Sequence, residues 1–164
     1  MPPQTRFSEL LEAHQKEIYR YLYRMTGDPE DAADVLQETF LGAFQAFPKL
    51  DPGANHRAWL YRIAHRQALN LFRSQKVRRA ASLDLVAEPD DPDLNPEELS
   101  ETRRLARSLN QLIHALTPRQ RSALLLKKYE GLAYSDVARV LGCSEETARA
   151  QVYQAMKKVR KGLH

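Results

Sequence analysis

The chain has 164 residues, is 43% hydrophobic and carries a formal net charge of +4. Its length suits one or two small cores, and the single cysteine, Cys143, allows no internal disulfide, as is typical of a reducing compartment. The N-terminus lacks the apolar run of a signal peptide, and no stretch approaches the ~18 consecutive apolar residues of a membrane span. We therefore expect a soluble, cytoplasmic protein without membrane insertion.

The charge is unevenly distributed along the chain. Residues 1–80 contain 12 basic and 9 acidic residues, whereas residues 80–101 contain 8 acidic residues and no basic one. Residues 102–164 contain 13 basic and 4 acidic residues. Two basic blocks on either side of an acidic block indicate a polyanionic partner that is held at two places.

The N-terminal part is predicted to form three helices. A first apolar stripe with helical spacing ends at Gly27. Asp28 and Pro29 then supply an N-cap and a first helical residue, and Pro48 ends the second helix. After a loop rich in helix breakers, a third helix is predicted over residues 57–79.

The second helix, which contains the stretch DAADVLQETF, divides into two faces at about 100° per residue. The face predicted to be core consists of Ala32, Ala33, Leu36, Phe40, Ala43, Phe44 and Phe47. The opposite face consists of Asp31, Asp34, Gln37, Glu38 and Leu41. Contact with solvent explains the polar members of that face, but it gives the exposed leucine no role.

The third helix is basic and contains no acidic residue between Arg57 and Arg79. Its seven cations are Arg57, Arg62, Arg66, Arg73, Lys76, Arg78 and Arg79, and its aromatic residues are Trp59, Tyr61 and Phe72. Uncompensated cations suit phosphates, and aromatic rings can stack on unpaired bases. The competing interpretation is that Trp59 and Phe72 simply belong to the core.

The segment SLDLVAEPDDPDLNPEEL contains three prolines and many acids, which cannot fill a core, so residues 81–95 are predicted to form a flexible acidic linker. A helix is predicted to begin at the acids that follow Pro96, and another at the capping box of Thr117 and Gln120. The fold class is therefore all-α, with two small helical domains, residues 1–80 and 96–164, joined by the linker.

The C-terminal stretch YSDVARVLGCSEETARAQVYQAMKKVRKG is typical of a helix-turn-helix. Ala138 allows close helix approach, and Gly142 can adopt the left-handed turn conformation. The second helix is predicted to pack through Ala148, Val152, Ala155 and Val159. Its free side shows Arg149, Ala150, Tyr153, Gln154, Lys157 and Lys161, which suits contact with base edges and phosphates in a major groove. Together with the local charge of +9, this pattern predicts DNA binding.

We find no pattern that indicates an enzyme. The five histidines lack the spacing of metal ligands, and no nucleophile elbow or phosphate-binding loop is present. Cys143 lies in the predicted turn, where a small buried filler is more common than a redox sensor. We therefore predict no catalytic residue, no metal and no cofactor.

Three motifs, taken together, resemble the extracytoplasmic-function (ECF) sigma factors of bacterial RNA polymerase. DPEDAADVLQETFLGAF resembles the polymerase-binding helix of that family, and RAWLYRIAHRQALNLFRSQKVRR resembles the helix that melts and reads the minus-ten element. LTPRQRSALLLKKYEGLAYSDVARVLGCSEETARAQVYQAMKKVRK resembles the domain that reads the minus-thirty-five element. The resemblance implies a sigma factor that binds core polymerase and directs promoter-specific initiation of transcription.

The resemblance also implies partners and site residues. The clamp of the largest polymerase subunit would contact Asp31, Asp34, Gln37, Glu38 and Leu41. The flap of the second-largest subunit is a further expected contact. The linker would enter the RNA exit path. Melted minus-ten DNA would contact Arg57, Trp59, Tyr61, Arg62, Arg66, Asn70 and Arg73, with flipped bases captured in the preceding loop. Duplex minus-thirty-five DNA would contact Arg149, Ala150, Tyr153, Gln154 and Lys157. An anti-sigma factor is an expected protein partner.

The chain departs from the family pattern at two positions. Arg66 stands where the family often has Asn, which affects the minus-ten preference, and Ala133 replaces the usual Ser cap of the helix-turn-helix. Two other functions fit parts of the same pattern. One is a helix-turn-helix regulator that acts on duplex DNA without being a polymerase subunit, and the other is a single-strand or RNA-binding module that uses residues 57–79.

Overall fold

The protein is described by a computed structural model, which covers residues 3–81 and 100–163. Within these two ranges every regular element is helical, which confirms the predicted all-α fold class. The predicted linker, apart from Ala81, lies outside the described residues.

Three helices form the N-terminal half: α1 (Pro3–Thr26), α2 (Pro29–Ala46) and α3 (His56–Ala81). A 3-10 turn, Phe47–Lys49, follows α2. The N-cap prediction for α2 is confirmed, because the Asp28 carboxylate accepts hydrogen bonds from the backbone N–H groups of Glu30 and Asp31 at 2.7 and 3.1 Å. The helices pack on one another, so that α2 contacts both α1 and α3.

The C-terminal half contains α4 (Glu101–Ala115), α5 (Pro118–Leu124), α6 (Tyr134–Leu141) and α7 (Glu145–Gly162). A π-helical turn, Leu125–Tyr129, continues α5. The capping box is confirmed, since Thr117 Oγ1 accepts from the Gln120 N–H at 3.2 Å and Gln120 Oε1 accepts from the Thr117 N–H at 3.4 Å.

Two further predictions concern helix ends. The predicted start of α4 at residues 95–98 lies outside the described residues, and the helix begins at Glu101, where Ser100 Oγ accepts from the Arg103 N–H. Gly142 has a φ of +69° and ends α6 in the left-handed conformation, as predicted for the helix-turn-helix.

The buried face of α2 differs from the predicted one. The residues buried against α1 and α3 are Ala32, Val35, Thr39 and Ala43, whereas Ala33 and Phe44 are exposed. Thr39 can be buried because its hydroxyl donates to the carbonyl oxygen of Val35 at 2.7 Å. The predicted core arc was therefore wrong for Ala33 and Phe44, because a threonine with a satisfied hydroxyl takes part in the core in their place.

The two halves pack against each other and share one hydrophobic core. Helix α3 lies along α6, and α1 contacts α5 and the π-helical turn. Polar contacts cross the same interface. Arg121 of α5 donates to the carbonyl oxygen of Met25 in α1, and Asn55 Nδ2 donates to Asp136 Oδ1 at 3.1 Å.

Candidate nucleic-acid interface and docking face

The predicted polymerase-binding residues form an exposed face of α2. Asp34, Gln37, Glu38 and Leu41 are all exposed, and Leu41 retains 52% of its accessible surface. Asp31 is half-buried, because its carboxylate accepts a hydrogen bond from Gln75 Nε2 of α3 at 3.1 Å. The structure therefore brings four of the five residues together at the surface, and it places Asp31 at the junction with α3.

An apolar groove adjoins this face, and sequence reasoning missed it. Phe44 is 54% exposed although its ring packs on Phe7 of α1, with ring centroids 5.5 Å apart. The groove is lined by Phe7, Gln15, Ala33, Leu36, Gln37, Phe40, Leu41 and Phe44. The missing signal was the width of the apolar pattern on α2, which is greater than one buried face requires. An exposed apolar groove rimmed by polar residues is typical of a protein-binding surface.

Four residues of the predicted minus-ten set are exposed on α3. They are Arg62, Arg66, Asn70 and Arg73. They continue towards the C-terminal end of α3, where Lys76, Arg78 and Arg79 are also exposed. The exposed side of this helix is therefore a stripe of cations, as a phosphate-binding surface requires.

The three other minus-ten candidates also belong to α3, but they lie away from its exposed side. Trp59 is half-buried and packs beside Phe47, with ring centroids 6.4 Å apart. Tyr61 is fully buried, and its hydroxyl lies 2.7 Å from Glu17 Oε1 and 3.1 Å from Glu130 Oε2. Arg57 donates to Glu17 Oε1 at 2.7 Å and to the carbonyl oxygen of Glu130 at 2.6 Å. In this arrangement of the two halves, Tyr61 is closed to a nucleic acid.

Contacts within the polar cluster around Glu17 shift the pKa values of its members. Burial alone would raise the pKa of Glu17, but hydrogen bonds from His14, Tyr61 and Arg57 outweigh burial and lower it. Burial and the neighbouring carboxylate raise the pKa of Tyr61, which keeps the phenol protonated as a donor. The Glu17 contact similarly outweighs burial at Arg57 and raises its pKa.

Sequence reasoning also missed Glu130, which is the buried acid at the centre of the interface between the halves. Arg20 and Arg24 of α1 contact its carboxylate at 3.6 and 3.5 Å. Two signals were available in the sequence. One is the i,i+4 spacing of the two arginines on α1, and the other is a single acid directly after the cluster KKY in a strongly basic segment.

The helix-turn-helix is built as predicted. Ala148, Val152, Ala155 and Val159 are buried, and the Ser144 hydroxyl caps α7 by accepting from the Thr147 N–H at 3.1 Å. The five predicted minus-thirty-five residues, Arg149, Ala150, Tyr153, Gln154 and Lys157, are all exposed. They form one continuous face of α7, which suits the width of a major groove.

Cations and an aromatic ring meet beside this face. The Arg149 guanidinium lies 4.3 Å from the centroid of the Tyr134 ring, and Lys127 Nζ lies at the same distance from that centroid. The ring thus holds Arg149 at the start of α7, where a side chain can reach a base edge. Ala133 at the N-cap of α6 makes no side-chain cap, and Cys143 packs partly buried against the core.

Within residues 3–81 and 100–163, no group of three His, Cys, Asp or Glu residues could hold a metal ion. None of the described helices is long and apolar enough to cross a membrane.

Two family models match the chain. Sigma-70 region 2 matches residues 10–78, and Sigma-70, region 4 matches residues 106–159. The ECF RNA polymerase sigma factor SigE of Mycolicibacterium smegmatis is 32% identical over 94% of this chain and 60% of its own length. The ECF RNA polymerase sigma factor SigC of Mycobacterium tuberculosis is also 32% identical, over 88% of this chain and 76% of its own length.

The sigma factor RpoE of Bartonella quintana, solved in complex with the anti-sigma factor NepR, has the same fold. The TM-score is 0.76 at 20% identity, and the match covers 96% of each chain. The two matched regions correspond to the two helical halves, and they occur in the order that the three sequence motifs predict. The chain therefore belongs to the ECF subfamily of RNA polymerase sigma factors, the proteins that direct the initiation of transcription.

Proposed function

We propose that this sigma factor divides its work between residues 1–80, which dock on core polymerase and hold melted minus-ten DNA, and residues 96–164, which read minus-thirty-five duplex. Residues 81–95 connect them. The protein works by binding alone, in the cytoplasm, without a cofactor or a chemical step of its own. The observation that carries the proposal is the exposure of Asp34, Gln37, Glu38 and Leu41 beside an apolar groove.

The docking face suits a helical protein surface such as the polymerase clamp. Leu41 and Phe44 supply an apolar centre, and the acidic and amide groups of Asp34, Gln37 and Glu38 form a polar rim. Apolar anchors surrounded by polar groups are the usual composition of a protein interface. In this arrangement Leu41 serves as an apolar anchor for the partner, a role that it would not have on a face that contacts only solvent.

Promoter binding divides between the two exposed basic surfaces. The cation stripe of α3 suits phosphates of the melted strand, and we expect Trp59 and the loop before α3 to contact unpaired bases. The exposed face of α7 suits direct reading of base edges, with Arg149 held by Tyr134.

Full promoter engagement requires the two halves to separate. The names of the minus-ten and minus-thirty-five elements put them about 25 base pairs apart, which at about 34 Å per ten base pairs is roughly 85 Å of duplex. A packed chain of this length has a radius of gyration of only ~15 Å. The packed arrangement is therefore the form of the free chain, and polymerase fixes the halves at the distance that the promoter needs.

The first experiment measures binding of the full chain to purified bacterial core RNA polymerase. A triple variant, Asp34→Ala, Gln37→Ala and Glu38→Ala, is expected to lose binding while keeping its thermal unfolding midpoint, because all three side chains are exposed. Glu145→Ala with Glu146→Ala removes two acids from α7 and serves as the control. Specific duplex binding by the chain alone, without any affinity for core polymerase, would support the regulator interpretation instead.

A second variant tests the apolar part of the docking face. Leu41→Asp places a charge in the groove and is expected to weaken core binding at least tenfold, since buried apolar anchors dominate interface energies. The matched control is Gln45→Asp, one helical turn further along α2, at an exposed position outside the groove. Equal affinities of the two variants would place the docking face elsewhere.

The chain is also proposed to bind an anti-sigma factor. The support is its fold, which it shares with a sigma factor solved in complex with the anti-sigma factor NepR. The exposed groove between α1 and α2 offers such a partner an apolar surface.

A further inference from the structure

Glu130 fills an anion-binding site that belongs to the other half of the molecule. Its carboxylate, with 2% of the side chain exposed, contacts Arg20 Nη2 at 3.6 Å and Arg24 Nη1 at 3.5 Å. The hydroxyl of Tyr61 lies 3.1 Å from Oε2, and Arg57 Nη2 donates to the backbone carbonyl of Glu130. All four partners come from α1 and α3, whereas Glu130 follows the π-helical turn of the C-terminal half.

Without Glu130 the site would carry excess positive charge. Arg20, Arg24 and Arg57 supply three cations, and the acid that accompanies them on α1 is Glu17. Glu17 is already engaged by Arg57, Tyr61 and His14. When the two halves separate, Arg20 and Arg24 lose the carboxylate that they contact here, and two positive charges remain in excess. Such an excess of positive charge attracts another anion.

The carboxylate of Glu130 does not fill the site completely. Its two ion-pair distances exceed the 2.7–2.9 Å of a close charge-assisted hydrogen bond, and its buried Oε1 has no hydrogen-bond partner among the described residues. A phosphodiester group is larger than a carboxylate and presents charged oxygens in a tetrahedral arrangement. It can therefore approach both guanidinium groups and the phenol more closely than a carboxylate can.

We propose that Arg20, Arg24, Arg57 and Tyr61 form a binding site for a backbone phosphate of the melted promoter strand, and that Glu130 occupies this site in the free chain in place of that phosphate. The inference rests on the proposed function. It extends the minus-ten surface from the exposed side of α3 around to α1, and it assigns Arg20 and Arg24 to DNA binding. In the closed chain, Glu130 and the strand compete for one site.

The charge around this site suits the backbone of a nucleic-acid strand. The Tyr61 hydroxyl lies 3.1 Å from Glu130 Oε2, so it can donate to a phosphate oxygen in the same position once Glu130 withdraws. Arg62 and Arg66 continue the positive charge along the same helix, so the backbone of a strand can follow α3 from one phosphate to the next.

The test measures binding of the full chain to a fluorescein-labelled single-stranded oligonucleotide of about 20 nucleotides, by fluorescence anisotropy. Glu130→Gln keeps the shape of the side chain but removes the charge that occupies the site. It is expected to raise the affinity roughly tenfold, because the closed state that excludes the strand loses its ion pairs. Glu9→Gln adds the same unit of net charge at an exposed position of α1 and is expected to change the affinity less than twofold.

Arg24→Gln, combined with Glu130→Gln, separates a phosphate site from a mere opening of the interface. The double variant is expected to lose the gain in affinity, because the arginine that binds the phosphate is gone. A gain that survives in the double variant would overturn the proposal, as would equal affinities of Glu130→Gln and Glu9→Gln. A poly-glutamate peptide that gains as much binding as the oligonucleotide would overturn the assignment to DNA.

Two additional measurements keep the outcomes distinct. Circular dichroism checks that each variant is folded. If Glu130→Gln unfolds, Glu130→Asp is used with the same criterion, since its shorter side chain withdraws the carboxylate from the arginines. Binding to core polymerase is expected not to weaken in Glu130→Gln, because Glu130 lies outside the docking face of α2. If the chain without substitutions does not bind core polymerase, the proposed function is contradicted. If Glu130→Gln binds the oligonucleotide with the same affinity as that chain, only the phosphate site is contradicted.

Discussion

Tyr21 of α1 and Ser122 of α5 share a hydrogen bond of 2.7 Å across the interface between the two halves, and both residues are completely buried. His65 of α3 lies on the other side of the phenol, with its Nδ1 3.4 Å from the hydroxyl. Burial raises the pKa of Tyr21, so the phenol stays neutral. At this point the interface pairs uncharged polar groups, and separation of the halves must return them to water.

His65 makes the stability of the chain depend on pH. Burial, with the positive charges of Arg119 and Arg66, lowers its pKa from 6.5 to about 4. The unfolded chain binds a proton at His65 between these two values and the folded chain does not. His65 therefore does not lower the free energy of unfolding above pH 6.5. As the pH drops from 6.5 towards 4, its titration lowers the free energy of unfolding by up to ~3 kcal/mol.

Urea unfolding at a series of pH values measures this effect. His65→Gln removes the titrating group but keeps a polar side chain, so the difference between the two curves isolates His65 from the carboxylates. The free energy of unfolding of the unaltered chain is expected to fall relative to that of His65→Gln between pH 6.5 and 4. Parallel curves over that interval would show that His65 titrates equally in the folded and unfolded chain.

Arg121 is expected to be indispensable for stability. It is buried, and its guanidinium donates to the carbonyl oxygens of Met25, Ile113, His114 and Leu116. Arg121→Met would leave these acceptors without their donor and should lower the free energy of unfolding by about 3–5 kcal/mol. Arg119→Met, at the exposed position two residues earlier, should change it by less than ~0.5 kcal/mol in the same urea titration.

Arg149 is expected to determine sequence preference in the minus-thirty-five element. In holoenzyme, Arg149→Ala should remove about 1–3 kcal/mol of discrimination at one base pair, measured by competition between promoters that differ at single positions. Lys157→Ala should instead weaken binding to all of these promoters equally. Because one phosphate contact is lost, the slope of log affinity against log salt concentration should become shallower by about one. Equal losses on every promoter for Arg149→Ala would assign it to phosphate contact only.

Tyr134 is expected to act on that preference through Arg149. Tyr134→Leu removes the ring under the guanidinium and should relax preference at the base pair affected by Arg149→Ala, whereas Tyr134→Phe keeps the ring and should leave it unchanged. The same promoter competition measures both. A loss in Tyr134→Phe as large as in Tyr134→Leu would indicate a role of the hydroxyl instead.

Ala133 offers a stabilising substitution. It occupies the N-cap of α6 with extended backbone angles (φ −64°, ψ 152°) and forms no side-chain cap. Ala133→Ser should supply the missing acceptor and raise the free energy of unfolding by about 1 kcal/mol. Ala106→Ser introduces the same residue in the exposed interior of α4 and is expected to give no gain in a parallel thermal melt.

The sequence was sufficient for features that depend on neighbouring residues. The caps at Asp28 and Thr117 and the left-handed glycine at Gly142 follow from local hydrogen bonding and steric preference, and the structure confirms them. The packing face of α7 was also predictable, because small apolar residues repeat there at helical spacing and polar ones occupy the other side.

Features that depend on tertiary partners were not predictable in the same way. Periodicity placed Phe44 in the core, but it could not show that Thr39 satisfies its own hydroxyl and takes the buried position. Likewise, Tyr61 and Arg57 were assigned to a DNA surface because a cationic helix with aromatic residues is typical of one. Their contacts with Glu130 come from a residue about 70 positions away in the sequence, which no local pattern reports.

The position of Arg121 has a consequence for how the two halves influence each other. Met25 lies in the last turn of α1, and Ile113 and His114 lie in the last turn of α4. Each helix C-terminus carries roughly half a negative charge from its aligned peptide dipoles. One guanidinium therefore neutralises two dipole ends from different halves of the molecule, which explains how an arginine is buried without a carboxylate. A movement of either helix end shifts the balance of charge at the other.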